Sequence, residues 1–565
     1  MARKLIRRQA AHVLPGLSPL LSRLFVGRGI VSNEDLDNSL ANLLSPDSFK
    51  GMGQAVSILQ DAVVNRRRIL IIGDFDADGA TSSALMLAGL TALGASHVNY
   101  LVPDRFKFGY GLTPEIVEAA LAFTPDLIVT VDNGISSIEG VDAAIANGIK
   151  VVITDHHLSG ETLPAADAIV NPNQVGCEFP SKSIAGVGVA FYLLSALRAS
   201  LRQAKWFAHN GPNLADYLDL VALGTISDVV PMDRNNRILV SEGLRRIRAG
   251  RARPGIYALM SVAGVDYSQA TTRDLAFAVG PRLNAAGRLE NMSLGIECLL
   301  AGKDRAMELA GKLDVINTER KSIEAEMKGQ AEQYIHQRSI DDSKDKVGVC
   351  LFHPDWHQGV VGIVASRIKD KIHRPVIAFA KAGASELKGS GRSIAGFHIR
   401  DGLHSIAAKN PGLLVKFGGH AMAAGLSIEP SNLERFTRLF DEEARRWLSD
   451  EYLEQVIVSD GEIEEEISLN LAKEVVAAAP WGQGFPEPVF DGEFEVLDQR
   501  IVGERHLKLK LRSITGVNTL EAIAFNHDRL LESRQLRLAY RLDINRYRGR
   551  ETVQLIIEST DLTFG

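Results

Sequence analysis

Three short apolar runs rich in β-branched residues each give way to metal-ligand residues, and this repetition constrains the chain more than any other feature. Residues 69–72 lead through Gly73 into Asp74-Phe75-Asp76-Ala77-Asp78-Gly79. Residues 127–131 lead into Asp132-Asn133-Gly134, and residues 150–154 into Asp155-His156-His157. Helical patterns lie between them, at residues 82–93 and 141–147. Such alternation over residues 68–230 predicts a parallel α/β sheet. Ligands of these sheets bind beyond the carboxyl ends of the strands, where all three polar segments fall.

Like charges on alternate residues at the end of a buried strand are unfavourable unless a cation neutralises them. Hard divalent ions with oxygen ligands fit this need. Asp76 and Asp78 lie two apart, so in an extended segment turning at Gly79 both approach one ion. Asp132 is placed to bridge a second ion. The histidine pair adds nitrogen, which suits Mn²⁺ better than Ca²⁺, with His156 ligating and His157 facing substrate. Asp155 is better suited to orienting a histidine than to binding metal. Asp228 completes the set. Two ions about 3.5–4 Å apart would activate water and stabilise a phosphodiester transition state. A competing reading makes Asp74–Gly79 a turn that caps the following helix.

Groups for a nucleic-acid strand are also visible. Arg105 and Tyr110 belong to a loop at residues 103–111 that mixes cations with aromatics, and Phe75 lies among the acids. Such mixtures suit single strands, through phosphate pairing and base stacking. Arg282, Asn284 and Arg288 share the segment 280–288, while Ser390, Arg392 and His420 lie in a glycine-rich region where backbone can approach phosphate. Solvated surface arginines are the alternative for Arg105 and Arg282.

With 565 residues the chain is too long for one core, and three or four domains are expected. The 3 cysteines, Cys177, Cys298 and Cys350, are widely spaced and form neither a disulfide framework nor a zinc motif. A net charge of −6 argues against a general polyanion-coating protein but permits a local basic channel. No apolar run is long enough to span a bilayer. A basic arm (Arg3, Lys4, Arg7, Arg8) on a cytoplasmic protein is preferred to a targeting peptide. Residues 303–337 read as one long helix. A second α/β segment begins at Lys346, and several short strands after Tyr452 suggest a small barrel of the oligonucleotide-binding type. The expected partition is a basic, mainly helical segment (1–50), a catalytic domain (51–300), a connecting helix (301–345), a second α/β domain (346–450) and the barrel domain (451–565).

These residues resemble the DHH phosphoesterase superfamily, and within it the branch of single-strand-specific exonucleases. The motifs resemble Asp74–Gly79, Asp132-Asn133-Gly134, Asp155-His156-His157 and Asp228. The accessory DHHA1 domain is similar to Gly389-Ser390-Gly391-Arg392-Ser393 and Gly418-Gly419-His420. The resemblance implies 5′→3′ degradation of single-stranded DNA to mononucleotides with two Mg²⁺ or Mn²⁺ ions. It also implies recombinational and mismatch repair, and work beside single-strand-binding protein and a repair helicase. A monomer is the simplest state for one continuous cleft. One departure is Ile72, where many smaller members carry a histidine ligand; the first ion then has fewer protein ligands, or uses Asp74 directly or through water. The rival readings are a non-catalytic DNA-binding factor and a phosphodiesterase for short oligonucleotides. The first is opposed by the intact acids and histidines, the second by the chain's length.

Overall fold

A computed structural model describes residues 3–103, 111–337, 346–383, 385–503, 505–514, 516, 518–547, 549–560 and 562–564. The chain divides into two compact units, each discontinuous in sequence. One comprises residues 8–317 and 460–558; the other comprises residues 1–7, 318–459 and 559–565. The helix Lys303–Gln337, foreseen from its charged, proline-free pattern, runs through the boundary.

A strand at Arg3–Arg7 (β1) belongs to the second unit. The first unit is built on β2 (Arg68–Ile72), β3 (His97–Leu101), β4 (Leu127–Val131), β5 (Lys150–Thr154) and β6 (Ala168–Val170), ordered β3-β2-β4-β5-β6. All neighbours are parallel. Alternate residues face opposite cores. Ile69, Ile71, Val129, Val131 and Val152 join the large core containing helices Met52–Val64, Ala77–Ala92 and Gly186–Gln203. Leu70, Ile72, Ile128, Val151 and Ile153 join a second core with helices Pro114–Ala120 and Ile138–Ala146. Burial on both faces is why these strands read as unbroken apolar runs. β3 escaped the sequence reading: its residues are at best half-buried, so it carries no such run. The register pairs Ile72 with Thr130 and Val131 with Thr154, which levels the carboxyl ends of β2, β4 and β5.

In the second unit, β7 (Val349–Phe352), β8 (Val376–Lys381), β9 (Leu387–Arg392), β10 (Lys416–Gly419) and β11 (Ala423–Ile428) form a mixed sheet ordered β10-β11-β9-β8-β7. Its core holds Phe379, Phe397, Phe436 and Phe440. A smaller sheet sets β1 between β12 (Val456–Ser459) and β18 (Leu562–Phe564), both parallel to it. The N-terminal segment, expected to be mainly helical, opens with this strand and continues with helix Pro19–Val26 and three 3-10 turns. Only Leu5 of β1 is buried, and its partners lie hundreds of residues away, so no local pattern announces it.

The barrel belongs to the first unit. Its strands are β13 (Phe490–Val502), β14 (His506–Ser513), β15 (Thr519–Ala524), β16 (Gln535–Tyr547) and β17 (Arg550–Ser559), closed in the order β13-β14-β15-β17-β16. That order, with β15 and β17 parallel, is the oligonucleotide-binding arrangement. Leu507, Leu509 and Leu511 point inward, and Lys508 and Lys510 do not, as strict alternation requires. The segment before the barrel docks on the catalytic core. Trp481 and Phe485 are buried there, and Phe25 stacks on both at centroid distances of 6.0 and 6.5 Å. Beside them Arg28 Nη1 and Nη2 each donate to one oxygen of Asp460 at 2.8 Å, with side chains only 0% and 2% exposed.

Breaking that pair strands a buried carboxylate. We expect Arg28→Met to destabilise the first unit by about 3–5 kcal/mol, read as a lower urea midpoint. A loss under about 1 kcal/mol would show that Arg8, 3.6 Å from Asp460, and the Val489 N–H at 3.0 Å suffice for the carboxylate.

Candidate metal centre

Each polar segment leaves its strand in a conformation that the local sequence explains. After β2 the chain turns at once into helix Ala77–Ala92, with Asp76 as its N-cap and the Asp76 carboxylate accepting the Gly79 N–H at 2.9 Å. Capping and site formation are therefore one feature, not rivals. The extended geometry expected for Asp76 and Asp78 is replaced by a helical first turn, because aspartate before a helix-forming run is a strong cap. Asp78 lies inside that turn, 1% exposed, and accepts the Gly186 and Val187 N–H groups at 2.7 and 3.0 Å. These amides open helix Gly186–Gln203, whose positive end favours a carboxylate. Asp132 follows β4 with φ +61°, a left-handed conformation that Asp tolerates better than most residues.

The tertiary fold brings the separate segments together. Ligand-type atoms of Asp74, Asp76 and Asp132 lie within 4.8 Å of one another. So do those of Asp78, His156 and Asp228, and those of Asp132, His156 and His157. His156 Nε2 is 3.2 Å from Asp132 and 3.4 Å from Asp228. Asp74 thus takes an equal place with Asp76 and Asp132 in one group, and Asp132 and His156 are each shared between groups. Asp155 does not join them. Its Oδ1 accepts from the His156 and His157 N–H groups and lies 2.7 Å from His157 Nδ1, while Oδ2 accepts from Ile135 N–H. Asp155 therefore orients His157 through Nδ1, and a ligand-type atom of His157 lies in the group with Asp132 and His156.

The electrostatics call for cations. Burial, then the Asp76 charge, raises Asp78 to about 7. Burial, then Asp78 and Asp76, holds Asp132 and Asp228 well above the usual carboxylate range. Burial works against the His157 imidazolium, but Asp155 outweighs it and lifts the group to about 9. An oxygen-rich set with one or two imidazoles fits Mn²⁺ or Mg²⁺, and sharing of Asp132 and His156 fits two ions.

Support comes from residues that the sequence did not single out. A Cβ at Gly224 would stand 2.3 Å from Thr81 Oγ1 and 2.8 Å from Asp78 Oδ1; only glycine lets helix Leu218–Ser227 carry Asp228 this close. Asn171 and Asn173 donate to the His157 and His156 carbonyls at 2.9 and 2.6 Å, fixing that loop. Their Asn-Pro-Asn spacing after β6 was the available signal.

The expected strand-binding residues divide. Arg105 and Tyr110 lie outside the described residues. Phe75 is half-buried and packs against the large core. Asn284 accepts the Ala77 N–H at 2.9 Å, which anchors the acidic loop. Arg282 is 9% exposed and paired with Asp314 at 2.7 Å, so it braces two helices instead of facing open solvent. Arg288 is half-buried in the last turn of helix Gly280–Leu289. In the second unit Ser390 and Arg392 lie on one face of β9, with Arg392 Nη1 3.2 Å from Ser390 Oγ. His420 closes the turn between β10 and β11, next to β9 in the sheet. A Cβ at Gly362, in the first turn of helix Val361–Ile372, would lie 2.8 Å from Ser390 Oγ and 3.0 Å from Arg392 Nη2.

The carboxylate pKa values carry a sign. A carboxyl raised in the folded state stabilises the fold at low pH, and the contribution is lost as pH rises through the folded value. For Asp78, from 3.8 to about 7, the metal-free chain loses on the order of 4 kcal/mol across that window. We expect the gap in thermal stability between Mn²⁺-loaded and EDTA-treated protein to widen from pH 5 to pH 8. A gap independent of pH would mean that the carboxylates do not meet the ion.

The chain's similarities agree with this geometry. Residues 68–225 match the DHH family N-terminal domain, 344–446 the DHHA1 domain and 459–559 the RecJ OB domain. The single-stranded-DNA-specific exonuclease RecJ of Dickeya dadantii is 54% identical, over 98% of each chain. That of Escherichia coli is 52% identical, over 98% of this chain and 97% of its own. The crystal structure of Thermus thermophilus RecJ in complex with Mn²⁺ superposes with a TM-score of 0.78 at 30% identity, covering 98% of this chain and 78% of that one. A second, in complex with Mg²⁺, gives 0.73 at 28% identity, covering 98% and 77%. Three domain matches in order and identity above one half along the whole length make this chain a member of the RecJ family.

Proposed function

We infer that the chain is a single-stranded-DNA-specific exonuclease that hydrolyses phosphodiesters with Mn²⁺ or Mg²⁺. The observation that carries this is the convergence of Asp74, Asp76, Asp78, Asp132, His156 and Asp228 at the carboxyl edge of the sheet, in a chain of the RecJ family. These residues would hold two divalent ions, which would supply Lewis acidity to a water and to the scissile phosphate. The protein's own part is to hold the acids at fixed spacing and to present His157. With Nδ1 on Asp155, the His157 Nε2–H would donate to a phosphate oxygen as negative charge develops.

Finer features follow as proposals. Residues 51–300 carry the chemistry. Residues 346–450 take the 5′-terminal phosphate on Ser390, Arg392, His420 and the first turn of helix Val361–Ile372, which would make degradation run 5′→3′ and release mononucleotides. Residues 451–565 guide the strand. Work in recombinational and mismatch repair beside single-strand-binding protein and a helicase, as a cytoplasmic monomer, fits this chemistry. Among the described residues no helix is long and apolar enough to cross a membrane.

Release of nucleotides from labelled single strands, duplex and RNA with Mn²⁺ tests the activity. Asp132→Ala should lower the single-strand rate by at least about 10³-fold while sparing the fold; near wild-type rates would sink the two-ion assignment. Arg392→Ala should raise KM about 10-fold or more on 5′-phosphorylated strands and much less on 5′-hydroxyl strands. Equal effects on the two would remove the 5′-phosphate role.

A further inference from the structure

A cavity of about 590 Å³ in the barrel takes no part in the chemistry above. It is bounded by the segment 462–467, the start of β13 and the turn after β14. Glu462, Glu464, Glu465, Glu466, Asp491 and Glu493 line it, and among the described lining residues Arg537 is the one cation. That guanidinium is already divided. It pairs with Glu462 and lies 3.3 Å from Asp491 and 3.7 Å from Glu493. Glu466 accepts from the Asn518 side chain. Glu464 and Glu465 are exposed and pair with no cation among the described residues.

Acids by themselves make only a solvated face; the second feature is Tyr540. It is 1% exposed, with its ring packed on Phe490 and Phe494 at centroid distances of 6.0 and 5.4 Å, yet it lines the cavity. Among the described residues its hydroxyl has no hydrogen-bond partner. A buried tyrosine hydroxyl ordinarily finds one, because an unmade bond forfeits its solvation. Burial, then the Asp491 and Glu462 charges, pushes the group up from its ordinary value, so it stays neutral. The cavity therefore presents one neutral hydroxyl among carboxylates.

This lining selects its ligand. It repels phosphate, so a nucleic-acid strand is not the occupant. Among the described residues the groups of three metal-type ligands all lie at the metal centre, and none lies here. A guanidinium or ammonium carries only donors, so it suits both the carboxylates and the Tyr540 oxygen. Its aliphatic stem would find Ile463 and Ile467, which are partly buried against the barrel core, and Ile514, which is 53% exposed. An exposed isoleucine beside the acids offers a polypeptide a contact that a small amine does not need.

We propose that this cavity docks a basic segment of a protein partner, one of whose arginine or lysine side chains enters it to meet the Tyr540 hydroxyl and the surrounding acids. The proposal goes beyond the exonuclease reading and does not rest on it. The acidic lining keeps a nucleic-acid strand off this surface, so the partner does not compete with DNA for it.

The test uses the full chain with Mg²⁺ present, so that the acids of the metal centre are occupied. The probes are a fluorescent peptide of alternating arginine and alanine and the same peptide with glutamate in place of arginine, read by anisotropy. Wild type should bind the arginine peptide and not the glutamate peptide. Tyr540→Phe should weaken that binding about 10-fold and leave the thermal midpoint unchanged, since only an unpartnered hydroxyl is removed. Glu464→Gln combined with Glu465→Gln should weaken it about 3-fold or more and flatten its dependence on salt. No binding of the arginine peptide by wild type, or equal affinity of wild type and Tyr540→Phe, would overturn the docking site. Spermidine or Mn²⁺ binding as tightly as the peptide, and lost in Tyr540→Phe, would overturn the protein partner in favour of a small cation.

Discussion

Mutual repulsion among Asp74, Asp76, Asp78, Asp132 and Asp228 is the constraint to which the first unit answers. Two carboxylates about 4 Å apart at an effective dielectric near 20 repel by about 4 kcal/mol, and here several such pairs share one buried edge. Part of the charge is met by the chain itself: the Gly186 and Val187 amides hold Asp78, and the Gly79 amide holds Asp76. The remainder requires divalent cations. Holding the acids in place without them costs stability, and the surrounding fold opposes that cost with fixed contacts. The parallel register levels three strand ends, Gly224 admits helix Leu218–Ser227, Asn284 ties the acidic loop, and Asn171 and Asn173 tie the histidine loop.

The same unit gains a second anchoring point away from the metals. Phe25, Trp481 and Phe485 stack inside the catalytic core, and the Arg28–Asp460 pair closes over them. The polypeptide that leads into the barrel is thereby part of the catalytic core. This accounts for the grouping of residues 460–558 with residues 8–317 despite the long stretch of sequence between them.

Much of this was legible from local pattern. β2, β4 and β5 are buried on both faces, so their apolar runs are continuous and each announces the polar segment at its end. The barrel strand His506–Ser513 alternates because one face meets the barrel core and the other does not. Less was legible where partners are distant. β1 shows no pattern because only Leu5 is buried. The partners of Arg282 and Asn284 were not legible, since a polar side chain that meets Asp314 or the Ala77 amide is indistinguishable in sequence from one that meets phosphate. Asp74 was given a lesser role than Asp76 because spacing alone cannot say which carboxylates converge once the chain turns into a helix.

The sequence by itself determined the chemistry of the centre and the class of its scaffold. Residue type sets ligand hardness and charge, and the period of apolar residues sets strand or helix; both are local properties. Only the tertiary structure decided how the ligands are shared, that Asp155 serves His157 rather than a metal, and that the barrel joins the catalytic core. Each of these depends on contacts between segments far apart in the chain, and such contacts are set by register, packing and the close approach that single glycines allow.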